Sequence, residues 1–93
     1  MTHEAAPDAE RLEALIAVLM GLDPALSPIG AAIVAACAEG LASDSRSVSN
    51  GLGIAHALVL REIHALRAQG ILDITRRDAR TMRTFYAFAT PSC

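Results

Sequence analysis

Residues Leu52–Arg80, LGIAHALVLREIHALRAQGILDITRRDAR, change their periodicity halfway along. From Ala55 to Gln69 the apolar positions Val59, Ile63 and Leu66 recur at three- and four-residue spacing, with Ile54 just ahead of them. That is the stripe of a helix with one buried face. Gly70 supplies a helix stop, since glycine takes the left-handed conformation that closes a last turn without a Cβ clash. Beyond it the period falls to two. Ile71, Leu72 and Ile74 open a strand, and Arg77-Asp78-Ala79-Arg80 reads as its tip. Met82, Thr84, Tyr86 and Phe88 then alternate with Arg83, Phe85 and Ala87 on the way back.

Upstream, a short helix is expected from near Ser47 through Val48, Ser49 and Leu52, with Gly53 permitting a sharp turn. The small Ser49 falls where the two helices come closest. A short helix, a glycine turn and a longer helix form a helix-turn-helix unit, here Ser47–Gly53 joined to Ile54–Gln69, whose second helix suits a DNA major groove. A further helix runs from Pro28, capped by Ser27, to about Ala38 or Leu41. Proline at the first helical position costs no hydrogen bond. Its inward residues are Ile29, Ile33, Ala36, Cys37 and Leu41, and Glu39-Gly40 with Ser43-Asp44-Ser45 form its exit. The first helix spans about Ala9–Leu22 with Asp8 as N-cap, and carries Leu12, Leu15, Ile16, Leu19 and Leu22 at helical spacing. The fold class expected is therefore mostly α with a C-terminal β-hairpin, a winged helix-turn-helix preceded by an extra N-terminal helix. The N-terminal helix covers 8–23 and the winged core 27–90 of a single 1–93 domain.

The same stretch resembles MarR-type winged helix regulators in the DNA-binding winged helix-turn-helix superfamily. The matching positions are Leu52, Gly53 and Ile54 at the turn, Arg61 and Leu66 on the helix, Gly70, Ile71 and Leu72 entering the wing, and the charged tip Arg76, Arg77, Asp78 and Arg80. The resemblance covers roughly Ser27 to Thr90 and is carried by apolar spacing and glycines. It implies a short, dimeric DNA-binding transcriptional regulator. Family members usually dimerise through added helices at both ends. Here the Ala9–Leu22 helix is left to pair subunits, with Leu12, Leu15, Ile16 and Leu19 as the expected dimer interface; its plainer reading is a helix that only packs on the core.

The charge distribution agrees with nucleic-acid contact. Net charge is −2 over 93 residues. Residues 1–44 hold one arginine against seven carboxylates, a net of −6, and residues 45–93 hold seven arginines against three, a net of +4. Such asymmetry between halves is a signal of nucleic-acid or membrane contact. The DNA-binding residues expected from pattern are Arg46, Ala55, His56, Ala57, Leu60, Arg61, His64, Arg76, Arg77, Arg80 and Arg83. Arg61 can bind guanine O6 and N7 with both arms and His56 can donate to a base or phosphate, while Ala55 and Ala57 allow close approach to thymine methyls. Arg46 and the hairpin arginines suit phosphates or the minor groove. Each has a plainer reading: Arg61 paired with a surface carboxylate, His56 and His64 as exposed helix residues, and the hairpin arginines as a charged edge against sheet pairing. The helix face is sparse in hydrogen-bonding residues. That leaves a second class open, a winged helix protein-interaction module with Leu58 and Leu60 as apolar anchors. Glu62 is expected on a solvated helix edge.

Other functions fare worse. The apolar stretches Ala14–Leu22 and Ile29–Ala38 are separated by Asp23, Pro24, Ser27 and Pro28, and neither approaches the about 20 residues of a spanning helix. The N-terminus carries His3, Glu4, Asp8 and Glu10, unlike a secretion signal, so a cytoplasmic location is expected. Cys37 and Cys93 are too few for a disulfide framework. Cys37 reads as a small core residue. His56 and His64 lie about two helical turns apart, too far to share a metal unaided, and neighbouring Glu62 points away from His64. No catalytic, metal or cofactor motif is present, and no polar cluster marks an effector site. Hydrophobic residues make up 53% but aromatics only 3%. So small a core favours association with a second subunit.

Overall fold

The computed structural model describes residues 7–89. Cys93, His3, Glu4 and the ends of the expected 1–93 domain lie outside the described residues. Four helices lead into a C-terminal antiparallel hairpin: α1 (Pro7–Leu22), α2 (Pro28–Ala38), α3 (Ser45–Leu52), α4 (His56–Ala68), β1 (Leu72–Asp78) and β2 (Arg83–Phe88). The expected fold class, mostly helical with a terminal hairpin, matches this order.

α2 is the central element. Gly30, Ala31, Ala32, Ile33, Val34 and Ala35 are all buried, because α1 covers one side and α4 the other. Alanines there let the backbones approach closely, and Ile33 fills the centre with Val59, Ile63, Leu66, Leu72, Val48 and Tyr86. Val59, Ile63 and Leu66 are the stripe expected on α4, and all three are buried. Truncating Ile63 to alanine removes a fully buried branched side chain, a change that costs about 2–5 kcal/mol in such cores.

The caps follow local chemistry. Ser27 Oγ accepts from the Gly30 amide at 2.9 Å and donates to Glu62 Oε1 on α4 at 2.7 Å. Glu62 is therefore half-buried and tied to the start of α2, not on a solvated edge. At the end of α4, Gly70 adopts φ 79°, and the Ile71 amide donates back to the Leu66 carbonyl at 3.0 Å, which turns the chain into β1. Gly53 takes φ 67° between α3 and α4, where Ser49 Oγ donates to the Ile54 carbonyl at 2.7 Å and pins the turn.

Other boundaries and placements also differ from expectation. α1 already includes Pro7, so Asp8 lies within the helix and does not cap it. Leu41 is 51% exposed, because α2 ends at Ala38 and the chain turns outward. α3 starts at Ser45, with Asp44 as its N-cap accepting from the Ser47 amide at 3.0 Å. Aspartate and serine serve equally in helix exits and helix starts, and here they do the second. Finally, β1 continues to Asp78, so the turn is 79–82 and Arg77 lies within the strand.

The hairpin pairs Leu72 with Phe88, Ile74 with Tyr86, Arg76 with Phe85, Arg77 with Thr84 and Asp78 with Arg83. The register shifts between Ile74 and Arg76, leaving Thr75 as the extra residue of a bulge. Consequently Arg76 shares a face with Phe85, while Arg77 shares one with the buried Thr84. A third stub edges the hairpin. Asp44 bridges Phe85, and the Tyr86 amide donates to the Ser43 carbonyl at 3.0 Å.

Candidate nucleic-acid interface

Ala57, Arg61 and His64 are all exposed and follow i, i+4, i+7 spacing on α4, opposite Val59, Ile63 and Leu66. They form one outward face. Ala55 precedes the helix as its N-cap and, lacking a polar side chain, offers no cap hydrogen bond. The first amides of α4 therefore have no side-chain cap, and their partial positive charge is available to an anion.

Leu60 lies off that face. It is half-buried and lines a groove of about 250 Å³ between α4 and the hairpin, with Arg77, Asp78, Ala79, Met82, Arg83 and Thr84 around it. The bulge at Thr75 is what brings Arg77 into this groove. Arg80 is exposed in the turn, where its amide donates to Asp78 Oδ1 at 3.0 Å. Arg61 on the outward face of α4, Arg77 at the groove and Arg80 in the turn are all exposed.

The other expected residues have work within the chain. Arg83 donates to Asp44 Oδ2 at 2.7 Å and to Ser47 Oγ at 3.4 Å. Arg46 Nε donates to the Thr81 carbonyl at 3.3 Å and so braces the turn against α3. The Arg76 guanidinium sits 4.2 Å over the Phe85 ring, a cation–π contact. His56 is turned inward, with Nε2 2.7 Å from Ser45 Oγ. That hydroxyl also accepts from the Thr84 amide at 2.9 Å. Burial and then the positive charge of Arg46 hold His56 below its ordinary value, partly offset by Asp44.

Asp44 collects the opposite balance. Burial raises its pKa, but the hydrogen bonds from Ser47 and Arg83, with the Arg83 charge, outweigh it and leave the carboxyl below the ordinary value. Asp44, Ser45, Ser47, Thr81 and Thr84 were not evident from pattern as parts of this region. The Asp-x-x-Ser spacing of Asp44 and Ser47 was a visible cap signal; their partners on the hairpin, 36 or more residues away, were not.

Among the expected dimer residues, Ile16 and Leu19 pack against the chain's own core, and Leu12 and Leu15 are half-buried. Val18 and Leu22 are 56% and 76% exposed on the same helix. Arg11 of α1 pairs with Glu39 at 3.0 Å. Among the described residues, no group of three His, Cys, Asp or Glu is placed to hold a metal, and no helix is long and apolar enough to cross a membrane.

No protein-family model, no curated protein and no solved structure matches this chain.

Proposed function

We propose that the protein is a winged helix DNA-binding transcriptional regulator of the MarR-like kind, acting in the cytoplasm as a homodimer and without catalytic activity. One observation carries the reading: Ala57, Arg61 and His64 share the outward face of α4, with the exposed Arg77 and Arg80 on the adjoining hairpin. The order α2, bridged stub, α3, α4, hairpin is also that of a winged helix. In this reading α4 enters the major groove of double-stranded DNA. Arg61 reads a guanine with both arms and His64 reaches a neighbouring base or phosphate. The small Ala57 lets the helix approach closely. Arg77 and Arg80 take phosphates flanking the groove. Arg46, Arg76 and Arg83 serve by holding the hairpin in place, and His56 by setting the start of α4. Dimerisation uses α1, whose exposed Val18, Met20 and Leu22 extend the half-buried Leu12 and Leu15.

Leu58, 39% exposed beside that same face, favours the second reading, a winged helix that binds protein. A fluorescence-anisotropy titration with random-sequence duplex separates the two. Neutralising the two phosphates taken by Arg77 and Arg80 costs about 12-fold in affinity between about 50 and 200 mM salt. No binding at the lower salt removes the DNA reading.

A further inference from the structure

Met82 is the most exposed large apolar residue of the hairpin among the described residues. Its φ of 61° is the only positive value at a non-glycine residue among the described ones. The left-handed region favours glycine or asparagine, and an unbranched apolar side chain there carries a strain cost. The residue is 59% exposed, so little burial offsets that strain. Both neighbours are fixed from another element. The Thr81 carbonyl accepts from Arg46, and Arg83 is held by Asp44. Asp78 closes the other side of the turn through the Arg80 amide. The residues on either side of the strained position are thus tied to α3 and its cap, while Met82 itself stays largely exposed.

Resting on the DNA reading above, we propose that Met82 is an apolar wedge that enters the minor groove between two stacked base pairs and bends the duplex toward the major groove held by α4. The chemistry of the tip fits. Proteins that bend DNA from the minor groove insert an unbranched or branched apolar side chain at a base step and flank it with cations on the phosphates. Here Arg80 lies two residues before Met82 in the turn, and Arg77 shares the groove that Met82 lines. A wedge must be preorganised to unstack bases, and the Arg46 and Asp44 braces supply that. Pyrimidine–purine steps, the easiest to unstack, are the preferred entry points.

The test uses a duplex of about 30 base pairs carrying TA steps, labelled at both ends for energy transfer. Binding of the wild-type protein increases the transfer. Met82→Gly relieves the left-handed strain, so its melting temperature equals or exceeds that of the wild type. Its affinity falls about tenfold and the added energy transfer disappears. Its salt dependence stays unchanged, because methionine neutralises no phosphate. Met82→Leu keeps the bend. If Met82→Gly binds and bends the duplex as the wild type does, the wedge is excluded while the DNA reading stands. If Met82→Gly melts well below the wild type, Met82 is a structural residue and the wedge is likewise excluded. Absence of any wild-type binding removes the wedge together with the reading beneath it.

Discussion

Arg83 and Asp44 meet at 2.7 Å across 39 positions of sequence, and through them the second hairpin strand is fastened to the cap of α3. Asp44 is nearly buried and also caps the Ser47 amide, whereas Arg83 keeps about a third of its side chain in water. The two halves of the pair are therefore unequal. Asp44→Ala removes the cap and leaves a guanidinium without its partner, and is expected to cost about 2 kcal/mol. Arg83→Ala leaves Asp44 its Ser47 bonds and is expected to cost about 1 kcal/mol, discounted for solvent screening. Urea denaturation of both variants checks the order. Equal losses would show that the pair, not the cap, carries the energy.

Two substitutions should stabilise the fold. The Tyr86 hydroxyl is buried without a hydrogen-bond partner, and burial raises its pKa well above the ordinary value. Replacing it with phenylalanine removes a desolvated polar group and keeps the ring, for a gain of about 1 kcal/mol. At Gly51, on an exposed part of α3, an added Cβ meets nothing within 4 Å. Gly51→Ala therefore gains up to about 1 kcal/mol of helix propensity. A drop in melting temperature for either variant contradicts the environment described.

Acidification should loosen the hairpin. His56 titrates below its ordinary value in the folded chain. Between the unfolded value of about 6.5 and the lower folded one, the unfolded chain binds the extra proton and the folded chain does not. Stability is thus fully present above the unfolded value and is lost as pH falls toward the folded one. Asp44, also lowered, adds a loss in the same direction at more acidic pH. Stability of His56→Gln should be flatter than wild type as pH falls below about 6.5. Parallel wild-type and variant curves would remove His56 as the cause.

Arg61 and Arg77 should fail differently. Arg61→Ala is expected to lose about 1–3 kcal/mol on a preferred sequence and to relax discrimination at one base pair. Arg77→Ala should weaken all sequences alike and reduce the logarithmic salt slope by about one. Competition titrations with specific and random duplexes distinguish the two patterns. Identical behaviour of both variants contradicts the assignment of base reading to Arg61.

The elements with a regular period were legible in the sequence. Val59, Ile63 and Leu66 repeat within a single helix, so spacing alone revealed their common face. Ser27-Pro28 likewise marks the start of α2 because the signal is local. The arginines were legible only as a basic cluster. Which are exposed depends on contacts between distant segments: Arg46 with Thr81, Arg83 with Asp44, His56 with Ser45. Arg76 and Arg77 exchange the faces that strict alternation would give them, because a bulge at Thr75 leaves no composition signal. Asp44 was ambiguous for the opposite reason, since its cap signal is local but serves turns equally well.

The strand stub at Ser43–Ser45 has a consequence for how the chain assembles and opens. Its bonds to Thr84 and Tyr86 close a loop of roughly forty residues, whereas the α3–α4 turn is closed by neighbours. The helices can therefore condense first and the hairpin seat itself last, against an acceptor row already in place. By the same logic the hairpin can lift away while the helices stay folded, a partial opening cheaper than global unfolding. Amide hydrogen exchange at Thr84 and Tyr86 would then run faster than at Ile63 in the core of α4. The free energy between those two rates is the depth of the seat in which the hairpin rests.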